Sequence, residues 1–406
     1  MTSIDGSADF DDVAERARGF DHLDPATAPD IHGFLRELRV GCPVAHSERH
    51  GGFHVVSRHD DIRRVALEHD NYSSAVTGLG AVMLLREFGQ TIAPLFEQDP
   101  PEHSGWRKHL QPFFTRGAAA NAAPLIREVT REVIASVAPR GAGDLVRDIA
   151  KQIPPLIIGS LLGVPVAQRP VLRDLLTGFL SAGGLPPVEA EPAVKRYSDF
   201  LVDQVRDRRA DPGADLLSAA VTTPVNGHVA TEAELVKFTY LMIMAGALTT
   251  IDSIANTLHA LAADPALRDR VIADRSQLTP LIEESVRFES AVAATGRTVR
   301  TPTELAGVKL VPGDRLLLAW GSGNRDEDHF ESPAEFDIDR DQGRQLGWGA
   351  GAHRCIGQHL ARVEIGIVID EVLNALPDYR LPDGFEPDRT YGVLRGIRSL
   401  PATWTT

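Results

Sequence analysis

Residues 346–357 read Leu-Gly-Trp-Gly-Ala-Gly-Ala-His-Arg-Cys-Ile-Gly. Four glycines (Gly347, Gly349, Gly351 and Gly357) surround one cysteine, Cys355. A residue without a Cβ permits backbone conformations and close approaches that other side chains block. An apolar pattern follows from Ile356 to about Ala375, with Leu360, Val363, Ile367 and Val372 on one side. This spacing predicts an amphipathic helix that starts at the cysteine. A thiolate there is stabilised by the positive end of the helix dipole and by unbonded backbone N–H groups. Such a sulfur suits an iron that must cleave an O–O bond, because it pushes electron density onto the metal. Without the surrounding residue order, a buried structural cysteine in a Gly-rich turn is the commoner reading.

Outward from this stretch, most of the chain reads as helix. The clearest case begins at Thr231, which forms a capping box with Glu234. Its apolar pattern runs to about Ala263 and stops before Asp264-Pro265, where proline forbids continuation. Roughly 30 residues at 1.5 Å each make a rod of about 45 Å, long enough to cross a domain. Strands are few. Gly52–Val56 alternates after a Gly-Gly, and Val308–Trp320 reads as a hairpin turning at Pro312-Gly313-Asp314. The class is mainly α with a small β portion.

The chain has 406 residues, 43% of them hydrophobic, enough for one large core. The Pro/Gly-rich stretches 183–192 and 222–227 are short and offer no linker, so a single domain over 1–406 is expected. Net charge is −14, from 56 acidic and 42 basic residues, which argues against nucleic acid or a membrane surface as partner. Two distant cysteines, Cys42 and Cys355, make neither a disulfide framework nor a zinc site, and the cytoplasm fits. The first ten residues are polar and acidic, unlike a signal peptide.

The 346–357 stretch resembles the haem-binding loop of the cytochrome P-450 family, with Trp348, Gly349, Gly351, His353, Cys355 and Gly357 in register. Trp348 stands where the family usually has Phe. Further patterns resemble the family in the same order along nearly the whole chain. In Leu281–Arg287, Glu284 and Arg287 sit three apart on one helical face. Alone they would read as a surface ion pair. The resemblance implies a buried, structural pair, joined by Arg340. In DPPEHSGWR, His103 and Arg107 lie four apart. By resemblance they clamp a haem propionate, as Arg297 and His353 would, a task suited to a guanidinium's paired donors. The resemblance thus implies the P-450 fold, haem b (iron protoporphyrin IX) between the long central helix and the cysteine loop, and Cys355 as metal ligand. Trp348, Gly349 and Gly357 complete the cofactor site.

The centre of the long helix reads Met244-Ala245-Gly246-Ala247-Leu248-Thr249-Thr250. Gly246 costs a helix interior about 1 kcal/mol relative to alanine, so a close approach or a bulge is expected there. By resemblance, Gly246, Thr249 and Thr250 belong to the oxygen-handling site, and Thr249 helps to deliver protons. The family's acid just before that threonine is missing, because Leu248 stands there. Asp252 is offset by four residues and does not replace it. A leucine cannot exchange protons with solvent. A water chain or the substrate is the favoured proton source, with peroxide as an alternative oxidant and a tolerated, less efficient uncoupled cycle as the third reading.

The implied activity is monooxygenation, hydroxylating or dealkylating a small hydrophobic molecule such as a terpenoid or aromatic. Chain length, motif order and the C-terminal Gly392–Trp404 stretch look similar to the camphor-hydroxylase branch, which does not fix the ligand. Ala245, Ala247, Leu248, Val292, Ala294, Val393 and Leu394 are the expected pocket residues, and Arg86 is a candidate contact for an acidic group. O2 and a separate ferredoxin with its reductase are implied, docking near Arg344, Arg354, Arg362 and Lys108 on an otherwise acidic monomer. The alternatives are a peroxide-driven haem-thiolate enzyme and a non-catalytic haem-binding sensor.

Overall fold

A computed structural model describes residues 10–75, 92–183 and 185–406; Arg86 lies outside these. The described contacts gather the chain into two compact units, each drawn from three separated stretches. The first comprises Met1–Ala81, Glu283–Arg354 and Arg389–Gly396, and the second Val82–Ile282, Cys355–Asp388 and Ile397–Thr406.

In chain order, the N-terminal stretch forms α1 (Phe10–Arg18), α2 (Ile31–Gly41), β1 (Val44–Ser47), β2 (Phe53–Val56), α3 (His59–Leu67) and β3 (Tyr72–Ser73). Then follow α4 (Glu102–Leu110), α5 (Arg116–Val137), β4 (Ala142–Asp144), α6 (Pro154–Leu161), α7 (Arg169–Ala182) and α8 (Pro187–Ala210). Next come α9 (Leu216–Thr222), α10 (Glu232–Ala263), α11 (Pro265–Ala273) and α12 (Leu278–Phe288). The strands β5 (Thr295–Val299), β6 (Thr303–Leu305), β7 (Val308–Leu310) and β8 (Arg315–Leu318) precede α13 (Trp320–Gly323), α14 (Gln358–Ala375) and β9 (Pro401–Thr403). The fold is mainly α with a small β portion, as the sequence implies.

The first unit is built on a five-stranded sheet in the order β1-β2-β8-β5-β3. β8 runs parallel to β2 and antiparallel to β5. This corrects the expected hairpin over Val308–Trp320. The turn at Pro312-Gly313-Asp314 does form, with Asp314 N–H donating to the Val311 carbonyl. The strands on its two sides, however, pair elsewhere, β7 with β6 and β8 with β2 and β5. Trp320 begins α13 instead of ending a strand.

The second unit packs helices around α10. Thr231 accepts from the Glu234 N–H and Glu234 reaches back to the Thr231 N–H, the expected capping box. At the other end Asp264 caps α11 by accepting from Leu267 N–H, and Pro265 occupies its first turn. Residues 235–243 of α10 are all buried, and the helix as a whole packs on α6, α8 and α14. Among the described helices α10 alone is long and apolar enough to cross a membrane. However, 72% of its apolar window is buried inside the protein, as befits a core helix.

Candidate functional site

In the second unit the buried run of α10 is interrupted at mid-length. Ala245 is exposed, and Gly246, Leu248 and Thr249 are half-exposed. At 100° per residue these four lie on one side of the helix. Ala247 points the other way and is 0% exposed, within the core cluster that includes Leu216, Ile243 and Phe238. Its assignment to the substrate pocket is therefore corrected to a core residue. Gly246 is explained by a close approach, since a Cβ there would stand 2.8 Å from Ile158 Cδ1 of α6.

The hydroxyls along α10 bond back one turn. Thr249 Oγ1 donates to the Ala245 carbonyl at 2.6 Å and Thr250 Oγ1 to the Gly246 carbonyl at 2.9 Å. Thr250 is buried. Thr249 alone of the two stands on the bared side, and its bonded O–H leaves only lone pairs for anything that lies there.

Cys355 belongs to the same unit, is half-exposed, and forms no disulfide. Two residues, Ile356 and Gly357, separate it from the first residue of α14, Gln358, so the cysteine lies just ahead of the helix N-terminus. Leu360 and Val363, read as part of the apolar core face, are half-exposed, as is Ile356. The deeper turns (Ile365, Ile367, Val368, Val372) are buried. An apolar surface is thus bared around the thiol and nowhere else along α14's inner face. His103 is 1% exposed at the first turn of α4, with Arg107 half-buried one turn on. Trp106 anchors that helix by packing on Phe238 of α10, ring centroids 5.8 Å apart. Lys108 is exposed, and Arg362 is half-buried, donating to Gln358.

The first unit carries the rest of the loop. Gly349 and Gly351 have φ of +70° and +69°, a region L side chains rarely adopt. At Gly351 a Cβ would also stand 2.0 Å from the Ala66 carbonyl oxygen at the end of α3. Trp348 is buried, and its Nε1–H donates to Glu283 Oε2 at 3.1 Å. That bond gives the departure from Phe a physical reason, since indole finds an acceptor that a phenyl ring could not use. Arg297 is 7% exposed on β5 and donates to the Gly296 carbonyl; His353 is half-exposed and Arg344 and Arg354 are exposed.

Glu284 and Arg287 are both completely buried and paired at 2.7 Å. Arg340 Nε stands 3.6 Å from the same carboxylate. Gln342 Nε2 and the Asp337 N–H also donate to it, two partners sequence reasoning missed. Arg287 spends its remaining N–H groups on the carbonyls of Asn324, Pro333 and Glu335. The pair therefore holds a loop and contributes no reactive group. Glu289 was also missed. It is buried against Arg395 at 2.8 Å, Arg325 at 3.5 Å, Arg389 at 3.8 Å and His32 at 3.3 Å. Burial pushes its carboxyl upward, but the His32 hydrogen bond and the arginines outweigh this and hold it well below the usual range. Its partners lie far away in sequence, so no local pattern announces the cluster.

Of the expected pocket residues in this unit, the Val292 and Val393 segments are tied together, with Ala293 N–H donating to the Val393 carbonyl and a bridge joining Val292 to Leu394. Ala294 and Leu394 line a cavity of about 50 Å³ together with Phe20, Leu35 and Leu317.

A family model for cytochrome P450 matches residues 187–377. The chain is 33% identical over 353 residues to the cyclomarin C epoxidase CymV of Salinispora arenicola, covering 85% of this chain and 88% of that one. It is 31% identical to the erythromycin C-12 hydroxylase of Saccharopolyspora erythraea, covering 91% and 93%. Among solved structures, CYP108D1 from Novosphingobium aromaticivorans matches with a TM-score of 0.85 at 27% identity, covering 97% and 98%. The chain belongs to the cytochrome P450 family. It is accordingly a monooxygenase-type oxidoreductase, and haem is the cofactor its family implies.

The residues present fit that group. A half-exposed thiol at a helix N-terminus is a suitable iron ligand. The apolar surface bared around it and the small-residue strip on α10 suit a flat apolar ring. In the second unit, His103 and Arg107 on one helix are side chains of the kind that bind a propionate.

Proposed function

We propose that the chain inserts one oxygen atom into a small hydrophobic organic molecule, terpenoid or aromatic in type, by hydroxylation or dealkylation. The reading takes O2 as oxidant, a ferredoxin with its reductase as electron source, and the cytoplasm as location. The observation that carries it is the bared strip Ala245–Leu248–Thr249 that interrupts the buried run of α10, in the same unit as a half-exposed Cys355. Relatives named for an epoxidation and a C-12 hydroxylation support insertion of oxygen.

Haem b, held by Cys355 and by His103, Arg107, Arg297 and His353, would supply oxygen activation. The protein's own contribution lies around it. Ala245 and Leu248 exclude bulk water from one side and give an apolar substrate a surface to rest on. Thr249 presents lone pairs, so it can accept a hydrogen bond and hold a proton donor in place, but cannot itself be that donor while bonded to Ala245. With leucine at position 248, the proton comes through ordered water or a substrate hydroxyl. The exposed cations Arg344, Arg354 and Lys108 support docking of an acidic electron carrier.

The test is a spin-state titration of haem-loaded protein with small terpenoids and aromatics, followed by turnover with and without ferredoxin. A high-spin shift with one scaffold and ferredoxin-dependent product is expected. Thr249→Ala should divert electrons to hydrogen peroxide, whereas a non-catalytic sensor would be indifferent to it. Full turnover on peroxide alone, or purified protein that takes up no haem, would overturn the proposal.

A further inference from the structure

Outside the haem-binding residues, the first unit gathers three metal-type ligands from two separate stretches of chain. His59 Nδ1, Asp60 Oδ1 and His329 Nε2 all lie within 4.8 Å of one another. Asp60 Oδ1 stands 3.3 Å from His59 Nδ1 and 3.2 Å from His329 Nε2. Two ligands bonded at about 2.0–2.1 Å to a tetrahedral zinc ion are about 3.3 Å apart, so these spacings already match two edges of such a site.

The tautomer of His59 points the same way. Its Nε2 lies 2.8 Å from the Arg344 carbonyl oxygen, which only accepts, so Nε2 carries the proton. With Nε2–H committed to that carbonyl, the Nδ1 that faces the Asp60 carboxylate complements it either as an N–H donor or through a cation held between the two. A ring nitrogen whose partner N–H is fixed by a backbone carbonyl is the usual arrangement of a metal-bound histidine.

The scaffold is firm. His59 is buried and its ring stacks on His329 at 3.9 Å between centroids and 24° between planes. Asp326 joins the two stretches, its Oδ2 accepting from His59 N–H at 2.8 Å and its carbonyl from His329 N–H at 3.1 Å. The Asp60 side chain is 79% exposed, which opens the site to solvent and leaves room for water as a fourth ligand.

We infer that His59, Asp60 and His329 form a binding site for one divalent transition-metal ion of the zinc type. Imidazole and carboxylate together suit zinc, nickel or cobalt better than magnesium or calcium. Occupancy clamps the start of α3 to the turn after α13. The far end of α3 is where Gly351 of the cysteine loop is seated, so the ion stiffens the backing of that loop.

Calorimetric titration of the chelator-treated, haem-loaded chain with zinc chloride tests this. The expected result is one zinc per chain with a raised melting temperature, and binding weakened about tenfold or more in His329→Ala and in Asp60→Asn. Asp60 is exposed, so its variant reports on the ligand set without threatening the fold. His50→Ala, at a second grouping formed with Asp21 and His22, should leave the binding intact. No stoichiometric binding, binding unchanged in Asp60→Asn, or binding lost in His50→Ala would overturn the inference.

Discussion

Glu364 is completely enclosed in the second unit, nine residues beyond Cys355, and its Oε1 has no hydrogen-bond partner among the described residues. Desolvation alone pushes its carboxyl from an ordinary value of 4.5 up to about 8. A carboxyl raised on folding binds its proton more tightly in the native state than in the unfolded chain. Its contribution is therefore most favourable below pH 4.5 and is lost progressively as pH rises toward 8. Every tenfold gain in proton affinity on folding corresponds to about 1.4 kcal/mol. At pH 7 the native carboxyl is still mostly protonated while the unfolded one is ionised, a penalty of about 3 kcal/mol. At pH 5 only about 1 kcal/mol remains. Glu364→Gln keeps the shape of the protonated acid and does not titrate. Relative to wild type, the variant should gain about 2 kcal/mol of stability between pH 5 and pH 7. Urea unfolding of both haem-loaded proteins at pH 5, 6, 7 and 8 measures the difference, and other titrating groups cancel between them. Stability curves that stay parallel across this range would refute the reasoning and show that Glu364 is ionised in the folded protein.

Arg287→Met leaves Glu284 buried with Arg340 as its remaining cation, at 3.6 Å. It should cost about 3–5 kcal/mol, read as a fall in urea midpoint or as failure to retain haem on purification. Trp348→Phe removes the bond to Glu283 and should cost about 1–2 kcal/mol, and a double-mutant cycle with Glu283→Ala should find the two changes non-additive. Gly246→Ala places a methyl against Ile158. Overpacking of about 1–3 kcal/mol opposes about 1 kcal/mol gained in helix propensity. Adding Ile158→Ala, which deletes both crowding atoms, Cδ1 at 2.8 Å and Cγ1 at 2.9 Å, should make the double variant lose less than the sum of the two single changes, whereas additive losses would mean that Gly246 is there for another reason.

What was legible in the sequence was what local chemistry dictates. The ends of α10 follow from the capping box at Thr231 and from Asp264-Pro265, both of which act within four residues. The buried Glu284–Arg287 pair could be placed on one helical face by spacing, but spacing could not distinguish it from a solvated pair. Burial depends on the loop that delivers Asn324, Pro333 and Glu335 carbonyls to the guanidinium. The hairpin failed for the same reason. Pro312-Gly313-Asp314 dictates a turn, but a turn does not choose strand partners, and β8 found a better apolar match in β2 and β5, where Leu316, Leu317 and Leu318 are all buried. The placing of Ala247 in the pocket failed on geometry that the sequence already contained. Ala245 and Ala247 are both small and apolar, yet two residues on a helix are separated by 200°, so they cannot face the same space. Side-chain type could choose only a segment, and only the helical angle could choose the residues within it. Glu289 and the His59–Asp60–His329 grouping mark the limit, since both are assembled from separate stretches of chain whose convergence no local pattern encodes.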